Sequence, residues 1–487
     1  MLKQKIFNSI KWNGIALISR AIMHFIQLLL TTYYLIPSDV GILAIVFALM
    51  TFAQTISDGG INQSIIYNQH LNEHELGQIY FFNLLISICI AFILITTSSL
   101  IANIYKSDKL IPLLILISII LFINSTTQIL KTLAQKKLAF QILSKIEISS
   151  NIIGLMLTYI SFQMNLSIYA PVSGLLASVI SSSILTWAFI KPQCNIKFNL
   201  DWNFKKIYPS IIFGLEILGA NIVDSITSKL DILIGGLFLN SAYIGLYSLA
   251  KEINLRISST INPIITKIMF PVMASHQNNI NEFRKLYVST LSIVNAINIP
   301  IYIIVLFYSY DIIILFFSEE WLGTLPLLKV LSIWGIFNAT GNPVGILLTA
   351  KGKSKLALYW NIALFPITVV FVLLGSLVNI QYLAMSMSVL FLTTYIPSWY
   401  FLVYPVCKLD FLDFFKTLIQ PIILSFVAAT ISYLIIFNLE TTNLHFIIGL
   451  IIFSLIYFYI SYKLNFLWFH TISVFFNHNK GIKSCVV

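Results

Sequence analysis

The sequence predicts an all-α polytopic membrane protein of about fourteen transmembrane helices, built as two pseudo-symmetric six-helix halves plus a C-terminal helix pair. Three observations predict it. Of 487 residues, 58% are hydrophobic and only 10% charged, against about 25% charged in soluble domains. Apolar runs of about 18 residues or more recur along the whole length, each able to cross roughly 30 Å of hydrocarbon as a helix. Lysine and arginine gather in alternate connecting segments, as in a chain whose basic loops stay cytoplasmic. A mean hydropathy of +0.90 leaves a water-soluble fold no means of covering its surface. No period-two alternation with turn signals is present, which argues against a transmembrane barrel.

The elements follow in order. Spans at 12–36, 40–57, 79–103, 110–130, 147–163 and 168–190 make residues 1–190 an N-terminal six-helix half. Residues 191–208 read as a cytoplasmic linker. Spans at 209–237, 242–266, 287–309, 322–349, 356–378 and 381–404 make the second half, 209–404. Residues 405–487 hold the extra pair, 417–437 and 443–462, and a cytoplasmic tail. Pro37, Pro209, Pro326 and Pro421 fall at or near predicted starts, where proline is tolerated. The first span follows Lys3, Lys5 and Lys11 as a signal peptide would. It is too long for one and carries Arg20 and His24, so it reads as retained.

Of the 29 lysines and arginines, only Lys106 and Lys109 fall in outer loops. Arg20, Lys229, Lys251, Arg256 and Lys329 fall within spans, and all others fall in segments on the N-terminal side of the membrane. Both termini are therefore predicted cytoplasmic, in a multi-pass protein of the cytoplasmic (inner) membrane. The net charge of +11 belongs to this pattern and not to nucleic-acid binding. The weak point is the loop 58–78, which carries no basic residue but holds His70, Glu73, His74 and Glu75, read as solvated. The longest outer loop, 310–321, leaves no room for a soluble domain. Cys89, Cys194, Cys407 and Cys485 are too scattered for a metal or disulfide framework. There is no glycine-rich phosphate loop and no HExxH spacing, so no cofactor and no metal are implied.

An internal repeat underlies the two halves. Tyr34-Leu35-Ile36-Pro37-Ser38-Asp39-Val40-Gly41-Ile42 is echoed by Phe238-Leu239-Asn240-Ser241-Ala242-Tyr243-Ile244-Gly245-Leu246, with Gly245 lying 204 residues after Gly41. A second echo joins Leu133–Ala139 to Thr349–Ala357, each after the fourth span of its half. Repeated halves around a midplane site are a transporter architecture.

Ionisable groups inside the membrane cost roughly 2.5–3.5 kcal/mol each on insertion scales, so they are candidates for function. Arg20, His24 and Gln27 share one face of the first span. Glu216, Ala220, Asp224, Ser228 and Asp231 share one face of the seventh, with Lys229 about 100° round from Ser228. Ser248, Glu252, Arg256 and Ser259 line the eighth, with Lys251 beside them. Under the repeat, Arg20 maps onto Asp224 and Gln27 onto Asp231, which predicts opposed charges across a cavity. Each group also has a bland reading. Glu252 and Arg256 neutralise each other at i,i+4, Arg20 staples the fold to Asp224 or Asp231, His24 packs, Lys329 snorkels, and Asp58-Gly59-Gly60 ends the second span.

These residues resemble a known family. Leu35-Ile36-Pro37-Ser38-Asp39-Val40-Gly41 followed by Asp58-Gly59-Gly60 is similar to the LxPxxYG…DxG opening of polysaccharide exporters. Lys229–Gly236, Ile244-Gly245-Leu246-Tyr247-Ser248-Leu249-Ala250 and Phe270-Pro271-Val272-Met273 resemble the segments that follow. Val40 replaces the usual tyrosine, and Gly59-Gly60 the usual single glycine. The set looks like the oligosaccharide-flippase branch of the multidrug/oligosaccharidyl-lipid/polysaccharide (MOP) exporter superfamily. The resemblance implies a flippase, not an enzyme. It would move an undecaprenyl-pyrophosphate-linked repeat unit to the outer leaflet by alternating access, coupled to H+ or Na+ and working with polysaccharide polymerase machinery. Arg20, Lys229, Lys251 and Arg256 are then candidate pyrophosphate contacts. Asp224, Asp231, Glu252 and His24 are candidate coupling groups. Rival readings are a drug/cation antiporter of the same superfamily, a peptidoglycan-precursor flippase, and a membrane O-antigen polymerase or ligase, which would carry a large outer loop.

Overall fold

A computed structural model describes residues 2–68, 71–194, 204–437 and 445–464. Of the positions singled out above, His70 and Cys485 lie outside the described residues, as do the side chains of Lys3, Lys5, Pro209, Glu216 and Ala220. The chain is helical, with no strand among the described residues. The long helices of its first part are α1 (Leu2–Tyr34), α2 (Pro37–Asp58), α3 (Glu73–Ile104), α4 (Leu110–Lys136), α5 (Phe140–Gln163), α6 (Ala170–Phe189) and α7 (Phe204–Phe238). Then come α8 (Ser241–Ser275), α9 (Ile280–Phe307), α10 (Leu325–Ala350), α11 (Ser354–Ser376), α12 (Ile380–Ser398), α13 (Phe411–Phe437) and α14 (His445–Lys463).

Local sequence sets the helix ends. Pro37 opens α2, where its missing N–H costs nothing. Gly59 closes α2 in the left-handed region at φ 55°, as Asp58-Gly59-Gly60 predicts. Asn72 and Glu75 form a reciprocal capping box at the start of α3. Asn279 caps α9 by accepting from the N–H groups of Asn281 and Glu282 at 3.2 and 3.3 Å. Two expectations are corrected. The segment 58–78, read as a loop, contains a short helix, Ile61–Tyr67, because Ile61 and Ile65 are buried. Pro421 stands inside α13 and not near its start, since that helix already begins at Phe411. Membrane helices tolerate interior proline because neighbouring groups satisfy the freed carbonyl.

The chain gathers into two compact units, Met1–Ser248 and Leu249–Val487. In the first, α5 lies against α6 through small residues. A methyl on Gly154 would stand 2.7 Å from Ser178 Cβ and 2.9 Å from the Gly174 carbonyl. Helix α7 packs along α2, with Thr55 and Ser225 hydroxyls 2.7 Å apart and Gly60 against the Gly214 backbone. In the second unit the core centres on Phe283, Tyr287, Leu291, Tyr302 and Phe414. Buried asparagines tie its helices together. Asn298 donates to Asn262 Oδ1 at 2.9 Å, Asn262 to the Ala339 carbonyl at 3.0 Å, and Asn295 to the Thr417 carbonyl at 3.0 Å.

Among the described residues, 11 helical segments are long and apolar enough to cross a membrane. Helices α5, α7 and α8 are not among them. Two of these interruptions are plain in the sequence: Ser144, Lys145, Glu147 and Asn151 in α5, and Lys251, Glu252, Asn254 and Arg256 in α8. The helices that fall short are therefore the ones that carry most of the candidate residues.

Candidate functional site

Two ion pairs hold the exposed arginines Arg20 and Arg256. In the first unit the Arg20 guanidinium meets Glu147 Oε1 through both Nε and a terminal nitrogen. Arg20 is 50% exposed and Glu147 31%. The partner comes from α5 and was not singled out in the sequence, where Glu147 stands at the edge of a predicted span. In the second unit Arg256 pairs with Glu252 on the same face of α8, the i,i+4 neutralisation that the spacing offers. Lys251 is buried at 4% exposure, with its Nζ 5.8 Å from the centre of the Trp334 ring. That distance is within cation–π range.

Asp231 is fully buried within the first unit. Its Oδ2 accepts the Tyr247 hydroxyl at 2.5 Å, and its Oδ1 accepts the Ile232 N–H at 3.0 Å. Tyr247 is equally buried. Two residues of the family-like segments, sixteen positions apart, thus join α7 to the start of α8. Further along α7, Asp224 is exposed and Lys229 half-buried, while His24 is half-buried on α1 one turn beyond Arg20. Among the described residues no group of His, Cys, Asp and Glu could hold a metal ion.

The repeat-related turns touch each other. A methyl on Gly41 would overlap the Ser241 carbonyl, and one on Gly245 would overlap the Pro37 carbonyl. Pro37 and Ser241 are separated by the same 204 residues as Gly41 and Gly245, so the contact is its own image under the repeat. Beside it, Lys109 at the start of α4 donates to Asp39 in the first turn of α2 at 2.7 Å, and Asp39 is only 9% exposed. The echo of the two turns was visible in the sequence but their contact was not, and nothing local marked Glu147 as Arg20's partner.

Solved membrane-protein structures share this helical fold. The lipid II flippase MurJ, in an inward closed conformation, superposes with a TM-score of 0.74 at 17% identity, covering 92% of this chain and 98% of that one. An inward-facing multidrug resistance MATE family transporter of the MOP superfamily gives 0.62 at 12% identity, over 81% and 98% of the two chains. Residues 34–326 match the polysaccharide biosynthesis protein family, and the chain belongs to it. Its relatives include the teichuronic acid biosynthesis protein TuaB of Bacillus subtilis (strain 168), 26% identical over 89% of each chain. Another is the lipopolysaccharide biosynthesis protein WzxC of Escherichia coli (strain K12), 24% identical over 89% of this chain and 88% of that one. The chain is thus a multi-pass membrane protein of the polysaccharide biosynthesis family with the MOP superfamily fold.

Proposed function

We propose that this protein is a flippase that moves an undecaprenyl-pyrophosphate-linked oligosaccharide repeat unit from the inner to the outer leaflet of the cytoplasmic membrane. The product serves a surface polysaccharide, and the cycle is one of alternating access driven by an H+ or Na+ gradient. The observation that carries this reading is Arg20, a half-exposed guanidinium deep in an apolar helix. Such a charge is retained at a cost of a few kcal/mol where it contacts a polar substrate. A pyrophosphate is the anion that a guanidinium recognises best, through paired hydrogen bonds. The family match and the flippase fold support the same substrate class. Arg256 joins Arg20 as a substrate contact; Lys229 of α7 and Lys251 of α8 are further candidate cations. Asp224, Glu252 and His24 are the groups proposed for coupling, and Asp231, held by Tyr247, is proposed chiefly as a structural acid.

We also propose that α5, α7 and α8 cross the membrane, which gives fourteen crossings and cytoplasmic termini. The two six-helix halves are then 1–190 and 209–404, joined through 191–208.

A deletion strain complemented with wild type or Arg20→Ala tests the function, scored for surface glycan and for lipid-linked repeat units in the inner leaflet. Wild type should restore export, and Arg20→Ala at matched protein level should lower it by at least about tenfold, one lost charge-assisted contact. Precursors that reach the outer leaflet in the deletion strain would sink the flippase reading and favour a drug/cation antiporter.

A further inference from the structure

Lys131 of α4 lies within electrostatic reach of Glu147, the same carboxylate that holds Arg20. One cation thus pairs with this carboxylate and a second, from another helix, feels its charge. Lys131 lies five residues before the end of α4 at Lys136 and Glu147 seven past the start of α5 at Phe140, on the two sides of one short turn. At about 1.5 Å of rise per residue both stand roughly 8–11 Å in from that turn. The pair is open: Arg20 and Glu147 are 50% and 31% exposed, whereas the structural carboxylate Asp39 is 9% exposed in its pair with Lys109. An open pair inside an apolar helix is a poor device for stability, because exposed ion pairs contribute little.

We propose that Arg20, Lys131 and Glu147 form a phosphate site, in which the Glu147 carboxylate holds the place of a substrate phosphate and is displaced when the substrate arrives. The proposal rests on the flippase reading and adds two residues to it. Glu147 sets one oxygen against two guanidinium nitrogens, donors that a phosphate can accept from in its place. A pyrophosphate carries more charge and more acceptor oxygens than one carboxylate, so it displaces Glu147 from Arg20. When the phosphate leaves, Glu147 closes on Arg20 again. The empty carrier thus never leaves the Arg20 guanidinium bare in its apolar helix, and the returning carboxylate helps to eject the product.

The test uses the purified full-length chain in detergent micelles, with farnesyl pyrophosphate as the probe and phosphatidylglycerol as competitor. Glu147→Gln should bind the probe roughly three- to tenfold more tightly than wild type, the range for removing one partly exposed competing charge. Lys131→Met, which leaves the Arg20–Glu147 pair in place, should bind it about fivefold more weakly or worse. Equal or weaker binding by Glu147→Gln, at an unchanged thermal midpoint, overturns the displacement and leaves Glu147 a staple. Should Glu147→Gln fail to fold, Lys131→Met decides alone, and unchanged affinity there also overturns the site. Competition by phosphatidylglycerol at the same concentrations as the probe overturns the substrate assignment in favour of bulk lipid phosphate. The export assay reads the function separately. Tighter binding by Glu147→Gln in a protein whose deletion leaves export intact would support the phosphate site and sink the flippase reading.

Discussion

At Asp231 a carboxylate with no solvent exposure takes the hydroxyl of an equally buried tyrosine. Removing the donor leaves a buried charge short of a partner, which is worse than never having built the pair. Tyr247→Phe should therefore cost on the order of 1–3 kcal/mol, seen as a lower thermal midpoint in detergent. Asp231→Asn keeps an acceptor for the tyrosine and should cost less. If Asp231 is structural, export in Asp231→Asn will follow protein level alone; export lost at full protein level would make it a coupling acid. Outside the membrane segments, burial pushes the Cys194 thiol up, and nearby Lys137 only partly offsets it. Less thiolate is present at neutral pH, so maleimide labelling of Cys194 in the folded protein should be slow, rise with pH past the usual thiol range, and become fast on denaturation. Uniform labelling rates in the folded and denatured states would contradict this. At this scale the sequence was partly legible. The i,i+4 pair Glu252–Arg256 could be read off the spacing, because both partners sit on one helix. Arg20's partner could not, because Glu147 is brought to it by the packing of α1 on α5, 127 residues away.

Between elements, close backbone approach decides what is tolerated. The starts of α2 and α8 meet with Gly41 on the Ser241 carbonyl and Gly245 on the Pro37 carbonyl. No rotamer relieves a methyl against a carbonyl, so the helices must part. Gly41→Ala and Gly245→Ala should each cost about 1–3 kcal/mol as overpacking. Their thermal midpoints should fall by similar amounts, because the two sites are images of each other. Once one substitution has opened the contact the other meets less resistance, so the double variant should lose less than the sum. Full additivity would show that the two glycines act in separate places. The echo of Pro37–Gly41 in Ser241–Gly245 was visible in the sequence. That the copies touch was not, since a repeat says that two segments have one shape and nothing of where they meet. The helix ends read less well. The short helix Ile61–Tyr67 hides in a stretch of polar composition because only Ile61, Ser64 and Ile65 on one face are buried.

For the whole molecule parity decides the topology: 11 helical segments among the described residues are long and apolar enough to cross, and an odd number of crossings puts the two termini on opposite sides. Helices α5, α7 and α8 decide it. They span 24, 35 and 35 residues, roughly 36 Å and 52 Å at 1.5 Å per residue, enough for the hydrocarbon core. Their polar residues lower the hydropathy, but much of that polarity is satisfied internally by Glu147–Arg20, Asp231–Tyr247 and Arg256–Glu252. Polar groups paired within the protein do not face lipid. Leaving α5 out would also carry Lys191 to the outer side, and with it the linker lysines Lys197, Lys205 and Lys206. It would then invert every later loop, against the charge asymmetry that orients short-loop membrane proteins. Fourteen crossings keep the basic segments together. Fusions of a reporter that fluoresces only in the cytoplasm, placed before α1 and after Lys463, should both be bright. A periplasmic phosphatase fused after Ser107 should be active, and one fused after Lys353 inactive. A dark reporter after Lys463 beside a bright one before α1 would mean an odd number of crossings. Activity at both Ser107 and Lys353 would place the change of side between them, where α5, α7 and α8 lie, and the six-helix halves would have to be redrawn.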